Sequence, residues 1–256
     1  MMYFLKKIRL RFLSENKLNN YFLYAIGEIV LVVIGILFAV QIGEWNTASQ
    51  RNNSNKIYLT KIIEELHLNK ERLDFLTFKN NKNSLEVLVS NCDSLLKLMA
   101  RGLEEGDVDF IQTTKFNDGG PQLNLYDTTY EELLNTGKLY TLGSDNVVSA
   151  IKRYYKRYAR EVNYNKRFTD ILISGFKLMD TSLIKLRLDY EFGAASFNIR
   201  NYPWFFQPKS DKYISFQLGI NRMYLSQQLF LSQCKELKME SEKLIVILEK
   251  ELNEKK

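Results

Sequence analysis

Residues 21–42 read YFLYAIGEIVLVVIGILFAVQI, an apolar run broken by one charged side chain, Glu28. As an α-helix at about 1.5 Å per residue the run covers roughly 33 Å, enough for a hydrocarbon core of about 30 Å. It reads as a single transmembrane helix. The rest of the chain is assigned relative to it, as a short basic segment over residues 1–20 and one domain over residues 43–256.

The flanks set an orientation. Lys6, Lys7, Arg9, Arg11 and Lys17 precede the run against Glu15 alone, whereas only Arg51 and Lys56 are basic between residues 43 and 60. The positive-inside rule therefore places the N-terminus in the cytoplasm and exports the domain, into the periplasm if the cell is Gram-negative, with the anchor in the inner membrane. A cleaved signal peptide is the competing reading. Against it stand the long leader, Glu28 within the run and the lack of a small-x-small site after Ala39. Residues 1–13 set Leu5, Ile8 and Phe12 at helical spacing opposite cations, as in a helix lying on the inner leaflet. About 20 residues before the run leave no room for a cytoplasmic enzyme, so a message to the cytosol would pass through a partner.

Beyond the run, about 210 of the 256 residues suffice for one domain with a real core. Three prolines, 12 glycines and long helical spacings make the class mostly α, an exported, elongated helical bundle. Trp45 is placed for the outer interface, and the polar run 46–55 leads away from it. Leu59, Ile62, Ile63, Leu66, Leu73 and Leu76 form one stripe; after the asparagine-rich residues 79–83, Leu85, Leu88, Cys92, Leu95 and Met99 form another, closed by Gly102 and Gly106. Gly119-Gly120-Pro121 marks a loop. Thr129 to Glu132 fits a capping box for a short helix ending near Asn135 and stopped by Gly137. Ser144 or Asp145 caps a long helix to about Met179, with Ile151, Tyr154, Tyr155, Tyr158 and Val162 inward. Residues 189–210 form an aromatic-rich connection whose YPWFF, residues 202–206, either plugs the bundle's end or meets a partner. From Asp211 a heptad-like seam runs through Phe216, Ile220, Met223, Gln227, Phe230, Cys234, Leu237, Ser241, Leu244 and Leu248. A helix of that length either runs the length of the bundle or pairs with another chain, and Gln227 and Ser241 are polar enough to fix its register. Cys92 and Cys234 would sit in an oxidising compartment, as a disulfide or as two buried thiols.

The stretch Gly27-Glu28-Ile29-Val30-Leu31-Val32-Val33-Ile34-Gly35-Ile36-Leu37, with Gln41-Ile42 and Trp45-Asn46, resembles an uncharacterised family of single-span membrane proteins from Bacteroidota. Tyr130-Glu131-Glu132-Leu133 with Gly137, then Tyr154-Tyr155, is similar to the same family. The resemblance implies inner-membrane attachment and an exported helical domain, and brings no activity with it.

Chemistry is sparse. His67 is the sole histidine, and Glu64-x-x-His67 has the spacing of one helix of a di-iron carboxylate bundle, which needs a second such pair. Without one, His67 reads as a surface residue beside Glu64 and Glu71. Histidine triads and multi-histidine zinc sites fail for the same reason, and neither a phosphate loop nor a serine elbow occurs. The expectation is no enzyme, no metal and no cofactor.

Two features remain as sites. Residues 151–168, IKRYYKRYAREVNYNKRF, interleave seven cations with four tyrosines. Export argues against nucleic acid, leaving an anionic headgroup or acidic protein face for Lys152, Arg153, Lys156, Arg157 and Arg160; the other reading packs the tyrosines inward and pairs or solvates the cations. Within the run, Gly35 and Ala39 fall within roughly 20° of Glu28 on the helix wheel, and Gly43 continues the small-x-x-x-small pattern. Glu28, Gly35, Ala39 and Gly43 then form a helix–helix interface, or Glu28 snorkels to the headgroups. The whole reads as a membrane-anchored envelope protein acting by association with itself or another envelope membrane protein. The alternative is a periplasmic ligand-binding sensor that signals through a partner membrane protein.

Overall fold

The computed structural model describes residues 18–78, 82–115, 122–193 and 196–254, which are mostly helical and contain no strand. The expected interfacial helix of residues 1–13, residues 79–81 and the Gly119-Gly120-Pro121 loop lie outside the described residues. Two compact units divide at Ile57 and Tyr58.

Helix α1, Leu18–Thr77, starts in the first unit. There its apolar side chains stand exposed, including Leu31 at 73% and Phe38 at 64%. One stretch of α1 is long and apolar enough to cross a membrane. The polar run 46–55 is helical too, since no glycine or proline interrupts residues 44–77.

The second unit begins with the end of α1, where Leu59, Ile62, Leu66, Leu73 and Leu76 are buried. Helix α2, Leu85–Arg101, buries all five residues of its predicted stripe and ends at Gly102, whose φ of +91° suits glycine alone. A 3-10 turn and a short α3, Val108–Thr113, follow. Helix α4, Thr128–Asn135, ends as expected before Gly137, at φ +71°. Its start corrects the capping-box reading: the N-cap is Asp127, and the Thr129 amide donates 2.7 Å to Glu65 of α1 instead of taking part in a local box. Helix α5, Asp145–Phe192, runs past Met179 because Leu183 and Leu186 keep the buried stripe going until Gly193. Trp204 and Phe205 of YPWFF are buried, with Trp204 edge-on to Phe216, which makes the segment a plug.

Helix α6, Asp211–Glu254, buries all ten seam residues against its own chain, along α5 and α2. Two core clusters result. One joins α1, α4, the first half of α5 and the second half of α6; the other joins α2, α3, Trp204, Phe205 and the opposite halves of α5 and α6. The two long helices are therefore antiparallel and shared by both cores. They cross where Gly175 meets Gly219: a Cβ on Gly175 would lie 2.7 Å from the Gly219 carbonyl oxygen, and one on Gly219 would lie 2.6 Å from that of Gly175. Both thiols are free and buried; Cys92 donates to the Gln227 side-chain oxygen at 3.6 Å.

A Cβ on Gly219 would meet the Met179 side chain and, behind it, the Gly175 carbonyl oxygen at 2.6 Å; the side chain can turn away but the backbone cannot, so Gly219→Ala must push two helices apart. Overpacking of this kind costs about 1–3 kcal/mol, so the urea midpoint of the variant is expected to fall; an unchanged midpoint would contradict the crossing.

Candidate functional site

On α1, Tyr58, Ile62, Glu65 and Asn69 share one face within about 60°, so the apolar stripe carries polar groups into the core. Glu65 is 6% exposed and Asn69 fully buried. The Glu65 carboxylate accepts from the Tyr155 hydroxyl of α5 and from the Thr129 amide of α4, tying three helices at one group. Asn69 closes a two-bond ring with Tyr126, donating 2.8 Å to its carbonyl and accepting 2.6 Å from its amide.

Tyr126 belongs to an extended strap, residues 122–127, that has no backbone ladder of its own. Buried peptide groups need partners, and here side chains supply them. Tyr158 donates to the Leu125 carbonyl at 3.2 Å and accepts from its amide at 3.0 Å, while Asn165 accepts from the Leu123 amide at 3.2 Å.

Tyrosine packing extends this centre. Tyr130 stacks on Tyr155 with ring centroids 4.1 Å apart, and Tyr154 meets Tyr155 edge-on. Ser241, one of the two polar seam residues of α6, donates to the Tyr154 hydroxyl at 2.8 Å. Burial raises the Tyr155 hydroxyl above its ordinary range, reinforced by the charge of Glu65. Burial also pushes Tyr154 up to about 12 against the opposing hydrogen bond from Ser241. Both hydroxyls stay protonated at neutral pH and act as hydrogen-bonding groups.

Beside this centre an open groove of about 560 Å³ runs between α4 and α5. Asp127 and Glu131 line one side, Lys152 and Lys156 the other, and Tyr130 and Tyr155 lie between. No ion pair joins those acids to those lysines among the described residues.

The basic stretch separates into two sets. Tyr154, Tyr155 and Tyr158 turn inward, and Arg157 is clamped by Glu236 and Glu240 of α6, with Glu161 at 3.5 Å. Arg160 pairs with Glu161 at 2.9 Å. Lys152, Arg153 and Lys156 are exposed. Glu28, Gly35, Ala39 and Gly43 are all exposed, and nothing lies within 4 Å of a Cβ built on Gly35 or Gly43. His67 is exposed, and no group of three metal-ligating side chains occurs among the described residues. Glu65, Asn69 and the strap were missing from the sequence reading; the available signal was Glu65 and Asn69 four apart on the apolar face of α1.

Compared with known proteins, the chain matches one family model, described as a family of unknown function (DUF6090), over residues 28–189. The match takes in most of the apolar run, the Glu65 centre and α5 as far as Asp189, and leaves α6 outside. No curated protein and no solved structure matches the chain.

Glu65→Ala strands the Thr129 amide and the Tyr155 hydroxyl. At about 1–3 kcal/mol per unsatisfied buried group, the variant should lose about 2–6 kcal/mol in urea unfolding, and a loss under about 1 kcal/mol would show that the clamp is dispensable. A second expectation concerns alkaline pH. Burial holds Cys92, Cys234 and Tyr154 at about 12, above ordinary values of 9.0 and 10.0. The folded state then binds more protons than the unfolded one, so their contribution is whole below pH about 9 and lost as pH rises toward about 12. Urea midpoints measured across that window should fall, and both thiols should alkylate only after unfolding.

Proposed function

The chain belongs to the DUF6090 family of unknown function, so we propose its role from its own residues: a membrane-anchored protein of the bacterial envelope that acts by protein–protein association. The observation that carries this reading is the exposed apolar face of α1 over residues 22–42. Each exposed Leu, Ile, Val or Phe forgoes about 1.5–3 kcal/mol of burial, and a bilayer is the solvent that recovers it. The cations before the run favour a cytoplasmic N-terminus and a periplasmic domain, with the anchor in the inner membrane.

Association has a candidate face in the anchor. Glu28, Gly35, Ala39 and Gly43 share one side of the helix, the glycines leave room for close approach, and an acid in the bilayer turns toward protein. Lys152, Arg153 and Lys156 supply a cationic surface for an anionic headgroup or an acidic protein face.

A second reading, a periplasmic ligand-binding sensor signalling through a partner membrane protein, is favoured by the groove between α4 and α5. Its acids and lysines, which no ion pair joins among the described residues, suit a ligand carrying both charges. A ligand-dependent rise in melting temperature separates this sensor from a scaffold.

An alkaline phosphatase fused to the C-terminus is expected to be active, and activity of a cytosolic reporter at the same position instead would overturn the exported topology. In a membrane-association assay of the full chain, Gly35→Ile and Glu28→Leu should each weaken pairing through the anchor. If neither does, that face serves no helix–helix contact.

A further inference from the structure

The two walls of the groove between α4 and α5 carry like charges in pairs. The Glu131 amide donates 2.9 Å to the Asp127 carbonyl, so the two carboxylates stand one helical turn apart on one wall. Lys152 and Lys156, both exposed, stand one turn apart on the other. Like charges four positions apart disfavour a helix, and no ion pair engages any of these four side chains among the described residues. An added group of opposite charge on each wall would relieve both pairs.

The floor between the walls is uncharged. Buried Tyr155 and Tyr158 line it with Ala159 and Val162, and both hydroxyls are already engaged, with Glu65 and with the Leu125 backbone. Selection therefore falls to the walls, and these are set before a ligand arrives. The Thr129 amide bound to Glu65 and the Tyr130 ring stacked on Tyr155 hold α4 against α1 and α5, while Lys152 Nζ lies 5.3 Å from the centre of the Tyr140 ring. A site fixed in advance spends less of its binding on ordering itself.

We propose that this groove binds an extended peptide segment in which basic and acidic side chains alternate. The inference rests on the reading of the groove as a ligand site and names the class of ligand. Four positions on a helix rise about 6 Å, and side chains on one edge of an extended chain repeat about every 6.7 Å. The pair on each wall is thus in step with alternate residues of such a chain. Its acidic side chains, all on one edge, meet Lys152 and Lys156, and its basic side chains, on the other edge, meet Asp127 and Glu131. A uniformly acidic or basic segment would satisfy one wall and be repelled by the other. From Lys152 to Val162 is about 15 Å by helical rise, room for about four extended residues. A helix laid over the same length would order about twice as many residues, at a correspondingly larger cost in conformational entropy.

The test titrates the full chain in detergent with two peptides of one composition, acetyl-Lys-Glu-Lys-Glu-amide and acetyl-Lys-Lys-Glu-Glu-amide, and reads affinity by calorimetry. The alternating peptide is expected to bind at least tenfold more tightly than the block peptide. The double variant Lys152→Glu/Lys156→Glu should lose at least tenfold in that affinity while keeping its melting temperature, because both positions are exposed. Equal affinity for the two peptides overturns the alternating, extended ligand and leaves a groove for charged ligands standing. So does a rise in melting temperature with free lysine when neither peptide binds. If neither the peptides nor free lysine bind, both readings fall. Binding of the alternating peptide that the double variant leaves unchanged puts the ligand elsewhere and overturns the site. Should the double variant fold poorly, Ala159→Trp decides: it fills the exposed floor without changing charge and is expected to abolish binding, and retained affinity counts against the groove.

Discussion

The second unit depends on the contact between Gly175 and Gly219, where two long helices touch backbone to backbone. Close approach along α5 and α6 lets both helices serve two cores at once, and every other helix of the unit packs onto this pair. Helix α2 and α3 cover one end, the last turns of α1 and α4 the other. The crossing trades side-chain packing at one level for contact along the whole length of the pair.

At the α1 end, burial of polar groups does what apolar packing cannot. Leucine stripes can slide by a turn with little change in buried area, whereas the Glu65 carboxylate is satisfied only when the α4 amide and the Tyr155 hydroxyl both arrive. Asn69 imposes a similar condition on the strap. Polar groups in this core therefore select register, at the expense of desolvating a carboxylate.

The helices were legible because their stripes are local patterns: all five α2 positions and all ten seam positions of α6 read from spacing are buried. The end of α5 was misplaced because residues after Met179 are polar on average, although Leu183 and Leu186 keep the phase. The Glu65 cap was not legible, since its donor lies 64 positions away and nothing near Thr129 signals a distant carboxylate. The spacing of the basic stretch left a cationic face and inward tyrosines with paired cations as alternatives; the partition of Arg157 from Lys152 and Lys156 is made by glutamates on α6, far along the chain.

The position of α6 bears on what kind of unit is inherited. The matched family segment stops at Asp189, yet Tyr154 takes a hydrogen bond from Ser241 and Arg157 is held by Glu236 and Glu240, all on α6. The matched segment therefore shares both of its cores with a helix that lies beyond it. Part of what buries the matched segment thus comes from residues outside it, so a change on α6 at Ser241, Glu236 or Glu240 is felt inside that segment, at Tyr154 and Arg157.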